Sequence, residues 1–296
     1  MIKARRIGHA VFETTDLERL SDHYTEYVGL TVAARERDRV FLASQLGHLA
    51  LELRRGSSAG CRKLSFEITP GTDLGDVAAE LAKHGIRSER GNDPAPGIAN
   101  VLTFEDPKGT QVELFTSWST LKGEEPAKGI PVVKLGHVAY FVPDLQKVID
   151  FYADVLGFRI SDWIGDYFVF MRCNPDHHTV NFFRGEEARM HHIAFELADW
   201  NQMKTACDLL ARRKIELAWG PVRHGPGHNI SIYYREPDDQ IVELFTDLDH
   251  MVDEELGYFE PRPWHRDNPQ RPKVWDPGPT ANIWGLPPTP DFTRGR

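Results

Sequence analysis

At 296 residues, with 41% hydrophobic and 27% charged side chains, the chain has the composition of a globular protein with room for two separate cores. Its formal charge of −9 and pI near 5.8 argue against nucleic acid or an anionic membrane as partner. No apolar run approaches the ~20 residues that a bilayer-spanning helix needs, and the first fifteen residues lack a signal-peptide core. Three scattered cysteines, Cys61, Cys173 and Cys207, fit buried thiols in a reducing cytoplasm.

In chain order, the sequence states its architecture twice. RRIGHAVFETTDLERLSDHYTEYVGLTV, from Arg5, returns as VKLGHVAYFVPDLQKVIDFYADVLGFRI from Val133. FEDPKGTQVELFT, from Phe104, returns as YREPDDQIVELFT from Tyr234. Residues 1–120 and 133–250 therefore read as homologous domains, joined by a polar, proline-bearing linker at 121–132. Each domain divides again, since the segment from His137 matches HIAFELADWNQMKTACDLLARRKIEL from His192 in pattern. Both begin with an alternating apolar strand and reach an aspartate, Asp144 or Asp199, placed to cap a helix. Helical spacing follows, through Leu145, Val148, Ile149, Tyr152 and Leu156 in one and Met203, Cys207, Leu209 and Leu210 in the other. Gly157 is placed to close the first helix. Short strands come next, at 158–163, 167–172 and 179–183, then at 230–234 and 241–246. The unit reads β-α-β-β-β, four times over, an α+β fold. Two units side by side make an eight-stranded curved sheet whose concave face is a natural ligand cavity. From residue 251 the chain is rich in proline yet carries Trp264, Trp275 and Trp284, which reads as an extended arm packed on the second domain or on a neighbouring subunit.

Three residues carry the chemistry. His137 and His192 sit at matching points in the first strands of modules three and four. Glu243 lies in the last strand, in IVELF, where alternation turns it inward. An inward carboxylate without a partner costs several kcal/mol, so a shared metal is the economical explanation. Two histidines and a carboxylate form the facial triad of non-heme Fe(II), which leaves coordination positions open; Mn(II) is also accepted by such a set. The first domain keeps His9 and Glu113 but has Lys63 where His192 aligns, and an ammonium does not ligate. That domain is expected to be scaffold.

The layout and the ligand spacing resemble the type I extradiol dioxygenases of the vicinal oxygen chelate superfamily. The likeness spans about residues 1–250, and GPVRHGPGHNISIYYREPDDQIVELF from Gly220 resembles the signature of that family. Asp239 departs from it, where glycine is usual in the turn. The resemblance implies His137, His192 and Glu243 as Fe(II) ligands and His178 as the acid/base, with an imidazole near its ordinary pKa. It implies Tyr233 as hydrogen-bond partner of the ionised substrate oxygen, and His224 as a second histidine near the substrate oxygens. His177, His191 and His228 receive no role and are expected at the pocket edge or surface. The implied reaction inserts both atoms of O₂ into a catechol and yields a ring-opened semialdehyde. For the ring substituent, Arg271 in DNPQR resembles a carboxylate-binding arginine of the arm, whereas Trp219 favours an apolar group. The family commonly forms homo-oligomers. Two other readings are a glyoxalase-type lyase or isomerase, which draws four ligands from paired modules, and a metal-free sequestering protein of the same fold.

Overall fold

The computed structural model describes residues 2–123, 127–255, 258–260, 273–278 and 280–295. Four β-α-β-β-β modules follow one another. The first comprises β1 (Ala4–Thr14), α1 (Leu17–Glu26), β2 (Thr31–Arg35), β3 (Arg39–Ala43) and β4 (Leu49–Arg55). The second comprises β5 (Gly60–Ile68), α2 (Leu74–Lys83), β6 (Ser88–Ala95), β7 (Ile98–Glu105) and β8 (Gln111–Phe115). The third has β9 (Leu135–Val142), α3 (Leu145–Asp150), β10 (Arg159–Ile164), β11 (Phe168–Arg172) and β12 (Val180–Arg184). In the fourth are β13 (Arg189–Glu196), α4 (Trp200–Arg212), β14 (Leu217–Arg223), β15 (Ile230–Arg235) and β16 (Ile241–Thr246). Within every module the first strand lies parallel to the last, as β1 does to β4 and β13 to β16. Modules one and two share a sheet in the order β2-β3-β4-β1-β5-β8-β7-β6. Modules three and four share one in the order β14-β15-β16-β13-β9-β12-β11-β10-β19, where β19 (Lys273–Trp275) comes from the arm; β17 (His250–Asp253) and β18 (Tyr258–Glu260) pair separately.

Local chemistry explains the helix ends. The Asp199 side chain accepts from the Gln202 amide, as its N-cap position requires. The helix after Asp144 ends in a π turn, Phe151–Val155, before Gly157 takes the left-handed conformation (φ +75°) that stops it. On α4 the buried stripe is Met203, Ala206 and Leu210; Cys207 and Leu209 are only half-buried, because the stripe follows i, i+3, i+7. All three cysteines are half-buried thiols, not enclosed as expected: Cys61 lies near the start of β5, Cys173 just after β11, and Cys207 beside the buried stripe of α4.

The chain divides into two compact units. One holds residues 1–135 with 146–157 and 236–238, so the helix of module three packs with the first sheet. There Tyr152, fully buried, donates to Asp106 Oδ2 at 2.9 Å, and the same carboxylate pairs with Lys108. The linker is less free than its polarity predicts. Ile130 and Val132 are buried, and the Ile130 amide donates to the Tyr27 carbonyl. The other unit holds 136–145, 158–235 and 239–296. Its arm lies on its own sheet through β19 beside β10 and through Phe292 against Val222, Tyr233 and Ile241, and it meets the start of α4 through Trp284 against Trp200. Trp264 lies outside the described residues. Among the described residues, no helix is long and apolar enough to cross a membrane.

The first unit carries a pH liability. Burial, reinforced by Lys63 beside His9 and by Arg19 beside His23, lowers both pKa values from 6.5 to about 3. The unfolded chain takes up these protons below about pH 6.5 while the folded chain resists until about 3, so stability falls as pH drops through that window. Each ring costs about 2 kcal/mol at pH 5. The urea midpoint is expected to fall between pH 7 and pH 5, and His23→Leu should remove part of that pH dependence. A wild-type midpoint that does not move would contradict the burial argument.

Candidate metal centre and active site

Neighbouring strands β16, β13 and β9 carry Glu243, His192 and His137 to one face of the sheet. Gly136 makes room for the first histidine. A Cβ there would lie 2.3 Å from the Phe245 ring, which instead packs 5.0 Å from the His137 ring, centroid to centroid. His137 Nε2 lies 3.0 Å from Glu243 Oε2, and His192 Nε2 lies 3.2 Å from the same oxygen. The three donor atoms lie within 4.8 Å of one another, and all three side chains are buried. His192 Nε2 has no hydrogen-bond partner among the described residues.

The second carboxylate oxygen of Glu243 is held separately, accepting from Ser231 Oγ at 2.6 Å and Asn229 Nδ2 at 3.1 Å. Burial is the largest influence on this acid and opposes ionisation. The charges of His137 and His192 and the hydrogen bond to His137 outweigh it, holding the carboxyl well below its usual range. An ionised carboxylate, one of whose oxygens faces two imidazole nitrogens, fits a divalent cation such as Fe(II) or Mn(II).

The residues expected to move protons stand alongside. The His178 ring lies 4.3 Å from that of His137, edge to face. Burial, then the nearby His137 and His177, pushes its pKa well below the ordinary value that the sequence led us to expect, so it enters as a neutral base. Tyr233 lies opposite Glu243 in the β15–β16 ladder. Burial and the Glu243 charge keep its phenol protonated. The Tyr233 hydroxyl and His224 Nε2 are 2.8 Å apart, and His224 Nδ1 donates to the Ala281 carbonyl at 2.7 Å. A carbonyl only accepts, so neutral His224 carries its hydrogen on Nδ1 and accepts from the tyrosine at Nε2.

The model of the Glyoxalase/Bleomycin resistance protein/Dioxygenase superfamily matches residues 6–114 and again 134–244. The chain belongs to this superfamily. In sequence it is similar to Metapyrocatechase 2 of Cupriavidus necator, 28% identical over 83% of this chain and 82% of that one. It is likewise similar to the biphenyl-2,3-diol 1,2-dioxygenase of Paraburkholderia xenovorans LB400, 27% identical over 81% and 86%. In fold it is similar to homoprotocatechuate 2,3-dioxygenase of Brevibacterium fuscum, with a TM-score of 0.85 and 24% identity over 99% of this chain and 92% of that one. The Mn(II)-bound glyoxalase of Novosphingobium aromaticivorans is as similar in fold, with a TM-score of 0.85 and 24% identity over 99% and 94%.

Both superfamily repeats keep the same register, which turns the first into a control. Lys63 pairs with Gln111 and Ser65 with Glu113, as His192 pairs with Ile241 and Ala194 with Glu243. Lys63 forms an ion pair with Glu113, while His9 Nε2 stays 3.7 Å from that carboxylate. Among the described residues, His137, His192 and Glu243 are the one group with metal-holding geometry. Lys63→Ala is accordingly expected to leave metal content at one ion per chain, measured by elemental analysis. A second ion, or loss of the first, would mean that the first superfamily repeat has been misread.

The metal-side residues line a cavity of about 880 Å³ walled by Phe141, Phe168, Phe170, Phe183, Trp219 and Phe292. Trp219 stacks on Tyr233 at 5.5 Å and donates its indole N–H to the Leu286 carbonyl. Arg184 and Arg189 on this wall are already paired with Asp166 and Glu187. Arg271 lies outside the described residues. Asp239 takes the left-handed conformation (φ +67°) in its turn, the geometry for which glycine is usual.

The expectation that His177, His191 and His228 sit at the pocket edge or surface fails for all three as to exposure. They are 0%, 3% and 1% exposed, and only His191 touches the cavity. Each has a partner inside: His177 meets Asp162, His191 meets the Phe292 carbonyl, and His228 meets Asp249. Sequence reading also passed over Asn229, Ser231 and Asn181, whose buried Oδ1 has no partner among the described residues. Ser231 shares the inward alternation of Tyr233, a signal that was there to use.

Proposed function

We propose that this chain is an extradiol dioxygenase, opening the ring of a substituted catechol with both atoms of O₂ to give a semialdehyde. The observation that carries the reading is the buried cluster of His137, His192 and Glu243 at an aromatic cavity, with a neutral His178 and a protonated Tyr233 beside it. These three residues would hold Fe(II), with Mn(II) the alternative. When bound, the metal supplies open positions for the two catechol oxygens and O₂ and lowers the phenolic pKa values. The protein residues do the rest. His178 takes a phenolic proton and later returns one to the departing oxygen. Tyr233 has one hydrogen, which it gives to His224 Nε2 before substrate arrives and turns to the ionised substrate oxygen once substrate is bound. The phenylalanine wall excludes water and favours an apolar, bulky ring substituent over a carboxylate, the choice also indicated by Trp219. Both oxygen atoms end in the product, so no reductant is consumed. Work as a homo-oligomer in the cytoplasm is part of the same proposal.

The test is O₂ uptake by anaerobically Fe(II)-reconstituted protein against a panel of catechols, with the semialdehyde followed by its visible absorbance. Uptake matched one-to-one by semialdehyde, best with aryl- or alkyl-substituted catechols, is expected. Metal binding without uptake for any catechol would overturn the proposal and favour non-oxidative chemistry of the glyoxalase type. Absence of metal binding would favour a sequestering protein.

A further inference from the structure

His178 follows another histidine, and the two rings meet Nδ1 to Nδ1 at 3.0 Å. Between two neutral imidazoles, one nitrogen must carry the shared hydrogen and the other must offer a lone pair. The choice is made at the far end of His177, whose Nε2 lies 3.0 Å from Asp162 Oδ2. That oxygen also accepts from the Trp275 indole N–H at 3.0 Å, and Oδ1 accepts from the Lys273 amide at 2.9 Å. An indole N–H and a backbone N–H can only donate, so both oxygens of Asp162 are acceptors. His177 must then carry hydrogen on Nε2 and present a lone pair at Nδ1. His178 in turn carries hydrogen on Nδ1, and its Nε2 is left bare. That nitrogen has no partner among the described residues, and the ring lines the cavity beside His137.

We infer that Asp162 and His177 form a positioning relay that fixes His178 in the one tautomer able to accept a proton from substrate, with β19 of the arm holding the far end. Resting on the reading of His178 as the base, this adds two residues that touch neither metal nor substrate. The fold uses the device twice. His191 Nε2 donates to the Phe292 carbonyl at 3.0 Å, and its Nδ1 lies 2.7 Å from Nδ1 of His192. The same logic puts hydrogen on His192 Nδ1 and leaves its Nε2 bare toward Glu243. Both relays end on the arm, so the arm sets the hydrogen pattern of the site from behind.

The test reads the tautomer directly, by ¹⁵N NMR of histidine-labelled, Zn(II)-loaded protein. In the native protein, His178 is expected wholly as the Nδ1–H form. In His177→Phe, which fills the space without an acceptor, it should become a mixture. The kcat of the iron enzyme should then fall about 10- to 100-fold while iron content and KM hold. His177→Asn restores an acceptor near the Nδ1 position and should recover most of that loss, which a merely packing role would not explain. A native His178 in the Nε2–H form overturns the relay without any variant, so a misfolded His177→Phe leaves the question answerable. An unchanged tautomer or kcat in His177→Phe overturns it too. If the tautomer shifts but no catechol is ever turned over, the relay stands and the proposed activity fails.

Discussion

Glu243→Gln is expected to strip the protein of most of its metal and to cut turnover more than a hundredfold, beyond the ~10–100-fold typical of losing a residue behind a ligand. The substitution preserves shape, so β16 should pack as before. The new amide cannot satisfy both ends of its pocket. Ser231 and Asn229 offer hydrogens to one oxygen, which the amide oxygen can still accept, but its NH₂ then faces His137 and His192 at about 3 Å. Nitrogen in that position donates and does not ligate. Turning the amide over returns an oxygen to the site but sets NH₂ against Asn229 Nδ2. In both arrangements the negative charge that offsets a divalent cation is gone. Elemental analysis after dialysis measures the metal, and near-UV circular dichroism checks the fold. A folded variant with full iron would remove Glu243 from the ligand set.

His178→Phe separates proton transfer from metal holding. Iron near one per chain and a little-changed KM are expected, with kcat down about 10²–10⁴-fold, the span that general acid–base catalysis supplies. Phenylalanine matches the aromatic surroundings, since the ring sits 5.2 Å from Phe170 and edge-on to His137. What disappears is the only nitrogen of the Asp162–His177–His178 chain that faces the cavity. Loss of iron from this variant would mean that His178 supports the metal, and its assignment as acid/base would be wrong.

Much of the site was legible because its geometry is periodic. Once the β-α-β-β-β unit is seen four times, His137 and His192 must occupy matching strands, and Glu243 must point inward by alternation; Tyr233 entered through the resemblance alone. Lys63 announced the silent first repeat in the same way, for an ammonium opposite Glu113 fills the place a cation would take. His177 and His191 were placed at the pocket edge or surface because no motif gave them a role. Both are buried by partners far along the chain: Asp162 meets His177, and the Phe292 carbonyl meets His191, which also lines the cavity.

The sequence by itself determined the repeated module and the three donor side chains carried at matching places on its strands. Those features follow from hydrophobic period and from side-chain chemistry at fixed offsets, which act within a strand or between equivalent strands. Tertiary structure alone decided which nitrogen of His178 and of His192 faces the site and what walls the cavity. Trp275 reaches Asp162 across 113 residues, Phe292 reaches His191 across 101, and Ala281 reaches His224 across 57. No local pattern encodes contacts of that span in a proline-rich arm that lacks a period. They exist only once the sheet has curved and the arm has found the hydrogen-bonding groups and apolar faces left along it.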